Sequence, residues 1–136
     1  MLKKFLEWFF APIKEPISIL GVILWWEKRR IPFNFIIGIY GIISLMIFYW
    51  AIMTSGHLSP GEDAVEPLVL IAAPFLVNIC YTAGWFIETF LRIINRSISP
   101  KLGVVLLKSG LAFSLFIISI PSAVWLIVRF AKVFQK

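Results

Sequence analysis

Residues 67–92 read PLVLIAAPFLVNICYTAGWFIETFLR, an apolar run interrupted at a fixed rhythm. The run is long enough to cross a bilayer, which takes about 20 mostly apolar residues. Pro67, Ile71, Pro74, Asn78, Tyr81, Trp85, Glu88 and Arg92 recur at alternating steps of four and three. On a helix that spacing draws one continuous stripe. The remaining faces carry Leu, Val, Ile, Ala and Phe. A membrane helix with one polar face turns that face toward other helices or a wet cavity. The other helices are therefore expected to pack around this one.

Composition supports that reading. Of 136 residues, 60% are hydrophobic and only 15% charged, against about 25% charged in a soluble domain. The formal net charge of +6 does not point to nucleic acid, because the basic residues sit at the ends of apolar segments, where membrane topology places them. The lone Cys80 allows no intramolecular disulfide. The expected class is an all-α integral membrane protein with three transmembrane helices, about 31–53, 67–91 and 104–128.

Ahead of these crossings, residues 1–30 are expected to form an N-terminal amphipathic interfacial helix or helix pair. Leu2, Phe5, Leu6, Phe9, Phe10 and Ile13 make one helical face, with Lys3, Lys4 and Glu7 off it. Glu7 interrupts the apolar run and no small-residue cleavage site follows, so the segment is expected to be retained. The apolar stretch 17–26 is too short to span and ends in Trp25 and Trp26 beside Glu27, Lys28, Arg29 and Arg30. Aromatics next to basic residues belong at the water–lipid boundary. A crossing over 8–26 instead would bury Lys14 and Glu15, at about 2.5–3.5 kcal/mol for each charge.

The first crossing opens with Pro32, expected in a first helical turn. Asn34, Gly38, Gly41 and Leu45 share one face, suited to close helix packing. The loop 54–66 is acidic and lacks Lys and Arg. Ser59, Pro60 and Glu62 fit a capping box, which predicts a short helix from Pro60. His57 near Glu62, Asp63 and Glu66 hints at a metal, but a single His and a carboxylate-rich helix start explain the pattern without one. No metal or other cofactor is expected.

Within residues 67–92, Asn78 lies near mid-span and requires polar partners, with the carbonyls near Ile71 and Pro74 as candidates. Tyr81 and Thr82 are also within reach. Glu88 precedes Arg92 by four residues, the favourable order for a helical ion pair. It reads either as an interfacial salt bridge or as a carboxylate facing a cavity. Asn78, Tyr81, Thr82, Trp85, Glu88 and Arg92 form the candidate polar stripe, and Arg29, Arg30 and Asn34 a cluster on the cytoplasmic side.

The last apolar run carries Lys108 near its start, the small residues Gly110 and Ser114, and a kink signal at Ser119, Pro121 and Ser122. A full crossing is expected there, with a re-entrant hairpin as the alternative. With a cytoplasmic N-terminus and three crossings, ten of the 13 Lys and Arg fall inside and the acidic loop outside. That orientation suits a bacterial inner membrane.

No catalytic triad, metal-ligand spacing, phosphate loop or nucleotide fingerprint is visible, and the expectation leans away from an enzyme. The expected function is a small non-enzymatic membrane subunit or scaffold. Its partners would be the lipid bilayer and either a second copy, as a homo-oligomer, or another membrane protein, met through the polar stripe. A homo-oligomeric channel or carrier lined by the stripe is the alternative. A lipid-modifying enzyme at the inner interface comes third.

Overall fold

The apolar stretch 17–26 and the crossing expected at 31–53 belong, from Ile19 onward, to a single helix. In the computed structural model, which describes residues 1–14, 17–55, 67–95 and 97–133, the elements are α1 (Leu2–Phe9), α2 (Ile19–Ser55), α3 (Pro67–Ile94) and α4 (Leu102–Val133). Among the described residues there is no strand. The last three helices are long and apolar enough to cross a membrane.

At 37 residues, α2 is about 55 Å long. It passes through residue 30, where the sequence reading ends the interfacial segment, and Pro32 lies inside it rather than in a first turn. Glu27, Lys28, Arg29 and Arg30 are ordinary helix formers, so charge alone does not stop a helix. Pro32 removes one backbone hydrogen bond, and the helix carries on past it. No helix joins residues 8–26, because α1 stops at Phe9 and α2 begins at Ile19. In α4, Pro121 is also internal. The helix is unbroken across Ser119–Ser122, which rules out the re-entrant hairpin.

Cross-helix contacts fix the directions. Tyr40 meets Ser119 at 2.5 Å, and Ser44 meets the Ile118 carbonyl at 2.8 Å and Ser122 at 2.9 Å. Phe48 packs edge-on to Trp125, and Arg129 donates to Thr54 while lying over the Trp50 ring. α2 and α4 thus run parallel and touch along most of their length. α3 is antiparallel to both.

The core gathers toward the Ile19 end of α2, where Phe9, Val22, Trp26, Phe33, Tyr81 and Leu107 are buried together. Gly84 lets α3 lie against the Trp26 indole, since a Cβ there would stand 3.0 Å from the ring. The predicted capping box and short helix at Pro60, along with His57, Glu62, Asp63, Glu66 and Arg96, lie outside the described residues.

Candidate functional site

Asn78, Tyr81, Thr82 and Glu88 of the stripe predicted on α3 meet α2 in three successive layers. In the first, Asn34 and Asn78 exchange amide hydrogen bonds, Asn34 Nδ2 to Asn78 Oδ1 at 3.0 Å and Asn78 Nδ2 to Asn34 Oδ1 at 3.1 Å. Asn78 Nδ2 also donates to the Pro74 carbonyl at 2.9 Å. A polar amide among apolar helices needs such partners, because burying it unmatched is unfavourable.

One turn toward the Ile19 end, Arg30 reaches Thr82 Oγ1 at 3.3 Å and Glu27 at 2.7 Å. Thr82 in turn donates to the Asn78 carbonyl. Tyr81 donates its hydroxyl to the Trp26 carbonyl at 2.5 Å, and its ring lies between Trp26 and Phe33.

The third layer surrounds Glu88. Its side chain is 0% exposed and that of Arg92 6%. Trp26 Nε1 donates to Glu88 Oε2 at 2.7 Å. Arg92 donates to Oε1 through Nη2 at 2.7 Å and Nε at 3.0 Å. The same guanidinium donates to the carbonyls of Ile98 at 3.0 Å and Ser99 at 3.1 Å. Gly103, in the first turn of α4, closes the remaining side: a Cβ there would sit 2.5 Å from Glu88 Oε2. Negative charge at a helix start is favoured by the helix dipole. Glu88 and Arg92 therefore form a sealed junction between α2, α3, the α3–α4 loop and α4. They are neither an exposed interfacial pair nor a carboxylate open to a cavity. On α2 the partner of Glu88 is Trp26, two turns before Asn34.

Trp85 is half-buried against the core, and its indole N–H meets no acceptor; nor does the Thr89 hydroxyl one turn further on. The predicted cluster of Arg29, Arg30 and Asn34 does not form. Arg30 and Asn34 join α3 in separate layers, while Arg29 turns to α1. Its guanidinium donates to the carbonyls of Trp8 at 2.7 Å, Phe9 at 2.8 Å, Trp25 at 3.1 Å and Ala11 at 3.3 Å. The Arg29 guanidinium also lies 4.0 Å from the Trp25 ring centre and 5.0 Å from that of Trp8. A cation at the last carbonyls of α1 satisfies acceptors that have no partner within the helix.

Above the Asn34–Asn78 pair, α2 and α3 separate. The cleft between them has a volume of about 830 Å³ and is lined chiefly by Gly38, Gly41 and Phe48 of α2, Pro74 and Val77 of α3, and Ile118 of α4. Among the described residues, no group of three or more His, Cys, Asp or Glu side chains is arranged to hold a metal.

Three participants escape a reading of the sequence. Trp26 looks like an interfacial aromatic, yet it accepts from Tyr81 and donates to Glu88. Gly103 looks like loop punctuation, yet it makes room for a carboxylate. The seam of Tyr40, Ser44, Ser119 and Ser122 had a signal, hydroxyls at i, i+4 on α2 and i, i+3 on α4. The chain matches no known protein family, and neither a characterised protein nor a solved structure shows significant similarity to it.

Proposed function

We propose that the chain is a small non-enzymatic integral membrane subunit or scaffold. One observation carries this reading. Asn78, Tyr81, Thr82, Glu88 and Arg92 of α3 bond within the chain, while Phe75, Ile79, Phe86 and Phe90 of α3, like Phe35 and Phe116 on its neighbours, remain exposed. Such a surface suits lipid or other apolar helices. With the stripe turned inward, assembly falls to the outer faces rather than to the stripe itself.

In this reading α1 lies in the interface, with Leu2 and Leu6 toward lipid and Lys3 and Lys4 toward headgroups. The N-terminus is cytoplasmic and the loop 54–66 faces the other side, by the distribution of Lys and Arg. A bacterial inner membrane is the proposed location.

The decisive experiment is the mass of the protein in mild detergent, with any co-purifying chain identified. Two or more copies, or a stoichiometric membrane partner, support the scaffold. A bare monomer overturns it. In a Cys80→Ser background, cysteine labelling at Ser55 and Ser97 tests the orientation independently. Labelling of Ser55 only from the cytoplasmic side would reverse it.

A further inference from the structure

The cleft between α2 and α3 is mostly apolar along its walls and polar where Asn34 and Asn78 line it. Its volume of about 830 Å³ falls in the range of ligand pockets, about 300–1,000 Å³. At Gly38 and Gly41 no atom stands within 4 Å of where a side chain would begin. At that end, Asn34 gives one amide hydrogen to Asn78, and its other amide hydrogen has no acceptor among the described residues. One turn further, Arg30 contacts Glu27 and Thr82 through Nη2 alone. Its Nε–H is buried without a partner. The Arg30–Glu27 pair is itself partly exposed, and such pairs bind weakly and are readily exchanged.

In order along the seam stand a partly exposed cation just outside the cleft, an amide with an unused N–H, and an open apolar trough. A glycerophospholipid presents the complementary groups in the same order: phosphate, ester carbonyl, acyl chain. We propose that the α2–α3 cleft holds one acyl chain of an anionic glycerophospholipid, with its phosphate at Arg30 and an ester carbonyl at Asn34 Nδ2. The run from Glu27 to Arg30 then lies at headgroup depth, where basic residues gather on anionic lipid. The proposal rests on membrane placement and is independent of assembly. Asn78 is the positioning residue, since its carboxamide holds Asn34 in line.

The test uses full-length protein in mild detergent, with bound lipid counted by native mass spectrometry. The probes are phosphatidylglycerol, phosphatidylcholine with the same acyl chains, and glycerol phosphate, which has the phosphate and no chain. The wild type is expected to hold one phosphatidylglycerol, with weaker binding of phosphatidylcholine and none of glycerol phosphate. Gly41→Leu fills the cleft and should weaken phosphatidylglycerol binding about tenfold or more. Leu also favours a helix over Gly, so the fold is retained. Ala73→Leu fills the cleft from the facing wall and should repeat the loss, giving a second variant should the first fold poorly. Arg30→Gln should lower phosphatidylglycerol binding about fivefold and that of phosphatidylcholine, whose choline cation already offsets its phosphate, by less. Equal retention of phosphatidylglycerol by both filled variants overturns the proposal, as does equal binding of the two lipids by the wild type. A dimer that falls apart in Gly41→Leu would assign the cleft to a second copy and overturn it as well.

Discussion

The Trp26 indole donates to the Glu88 carboxylate at 2.7 Å across 62 positions of sequence, in a place that excludes solvent. A charge there is tolerable because three donors reach it and Arg92 neutralises it. Its removal strands the others: an indole N–H loses its acceptor and a buried guanidinium its counter-charge. Breaking a buried pair from one side costs about 3–5 kcal/mol. Glu88→Ala is expected to lose that much in denaturant unfolding of the detergent-solubilised protein. Glu88→Gln should fall between, since it keeps an acceptor for Trp26. The reversed pair, Glu88→Arg with Arg92→Glu, should fail to restore stability. Trp26 requires an acceptor at 88, and the Ile98 and Ser99 carbonyls require a donor at 92.

Gly103 gives a sharper contrast. Gly103→Ala drives a methyl toward the Glu88 carboxylate and should lower the melting temperature. Gly110 has nothing within 4 Å of its would-be Cβ. Gly110→Ala should therefore leave stability unchanged or raise it by up to about 1 kcal/mol, the difference in helix propensity. Equal melting temperatures for the two variants would contradict the packing at the start of α4.

Arg29 predicts a local effect. An eight-residue helix does not persist alone in water, where fewer than about 12–15 residues is marginal. Arg29→Lys keeps the charge but lacks the planar fork that reaches several carbonyls at once. Hydrogen exchange at residues 2–9 should accelerate and cleavage near Lys14 should increase. The unfolding of α2, α3 and α4 should shift far less. Unchanged exchange in α1 would show that Arg29 is not its anchor.

The amide pair is suited to a double-mutant cycle. Interhelical polar contacts in bilayers average about 0.6 kcal/mol and reach about 1.7. Asn34→Leu and Asn78→Leu should each fall within that range. The double variant should lose less than the sum, because neither amide is then left alone. Strict additivity in unfolding measurements would mean that the two amides do not interact.

The helical class and three long apolar helices were legible because apolar length and periodicity are local properties. So was the shared face of Asn78, Tyr81 and Glu88 on α3, whose spacing is written within one helix. Asn78 could be read as needing an internal partner, since an apolar setting gives an amide few alternatives. Other features depend on which helices face each other. Arg29 and Arg30 are adjacent in sequence, and consecutive side chains on a helix point about 100° apart, so one meets α1 and the other α3. The extent of α2 was hidden for another reason. A charged turn reads as an end only if every charge seeks water, whereas Arg29 finds four carbonyl oxygens instead. Trp26 has basic neighbours in sequence, whereas the Glu88 that fixes its role lies far off along the chain.

The seam between α2 and α4 has a consequence for the growing chain. Tyr40 meets a partner 79 positions later, and Ser44 one 78 positions later. At about 5–20 residues per second, that gap corresponds to roughly 4–16 s of synthesis. In the membrane placement proposed above, α2 would wait in lipid for that time with its hydroxyls unmatched. Ser44 can wait cheaply by folding back onto its own helix, as Thr54 does onto the Trp50 carbonyl and Ser119 onto that of Leu115. A single turn about χ1 then re-aims its O–H at the Ile118 carbonyl of α4. The phenol of Tyr40 is held too far from its own backbone for that retreat, so its hydroxyl depends on the arrival of α4.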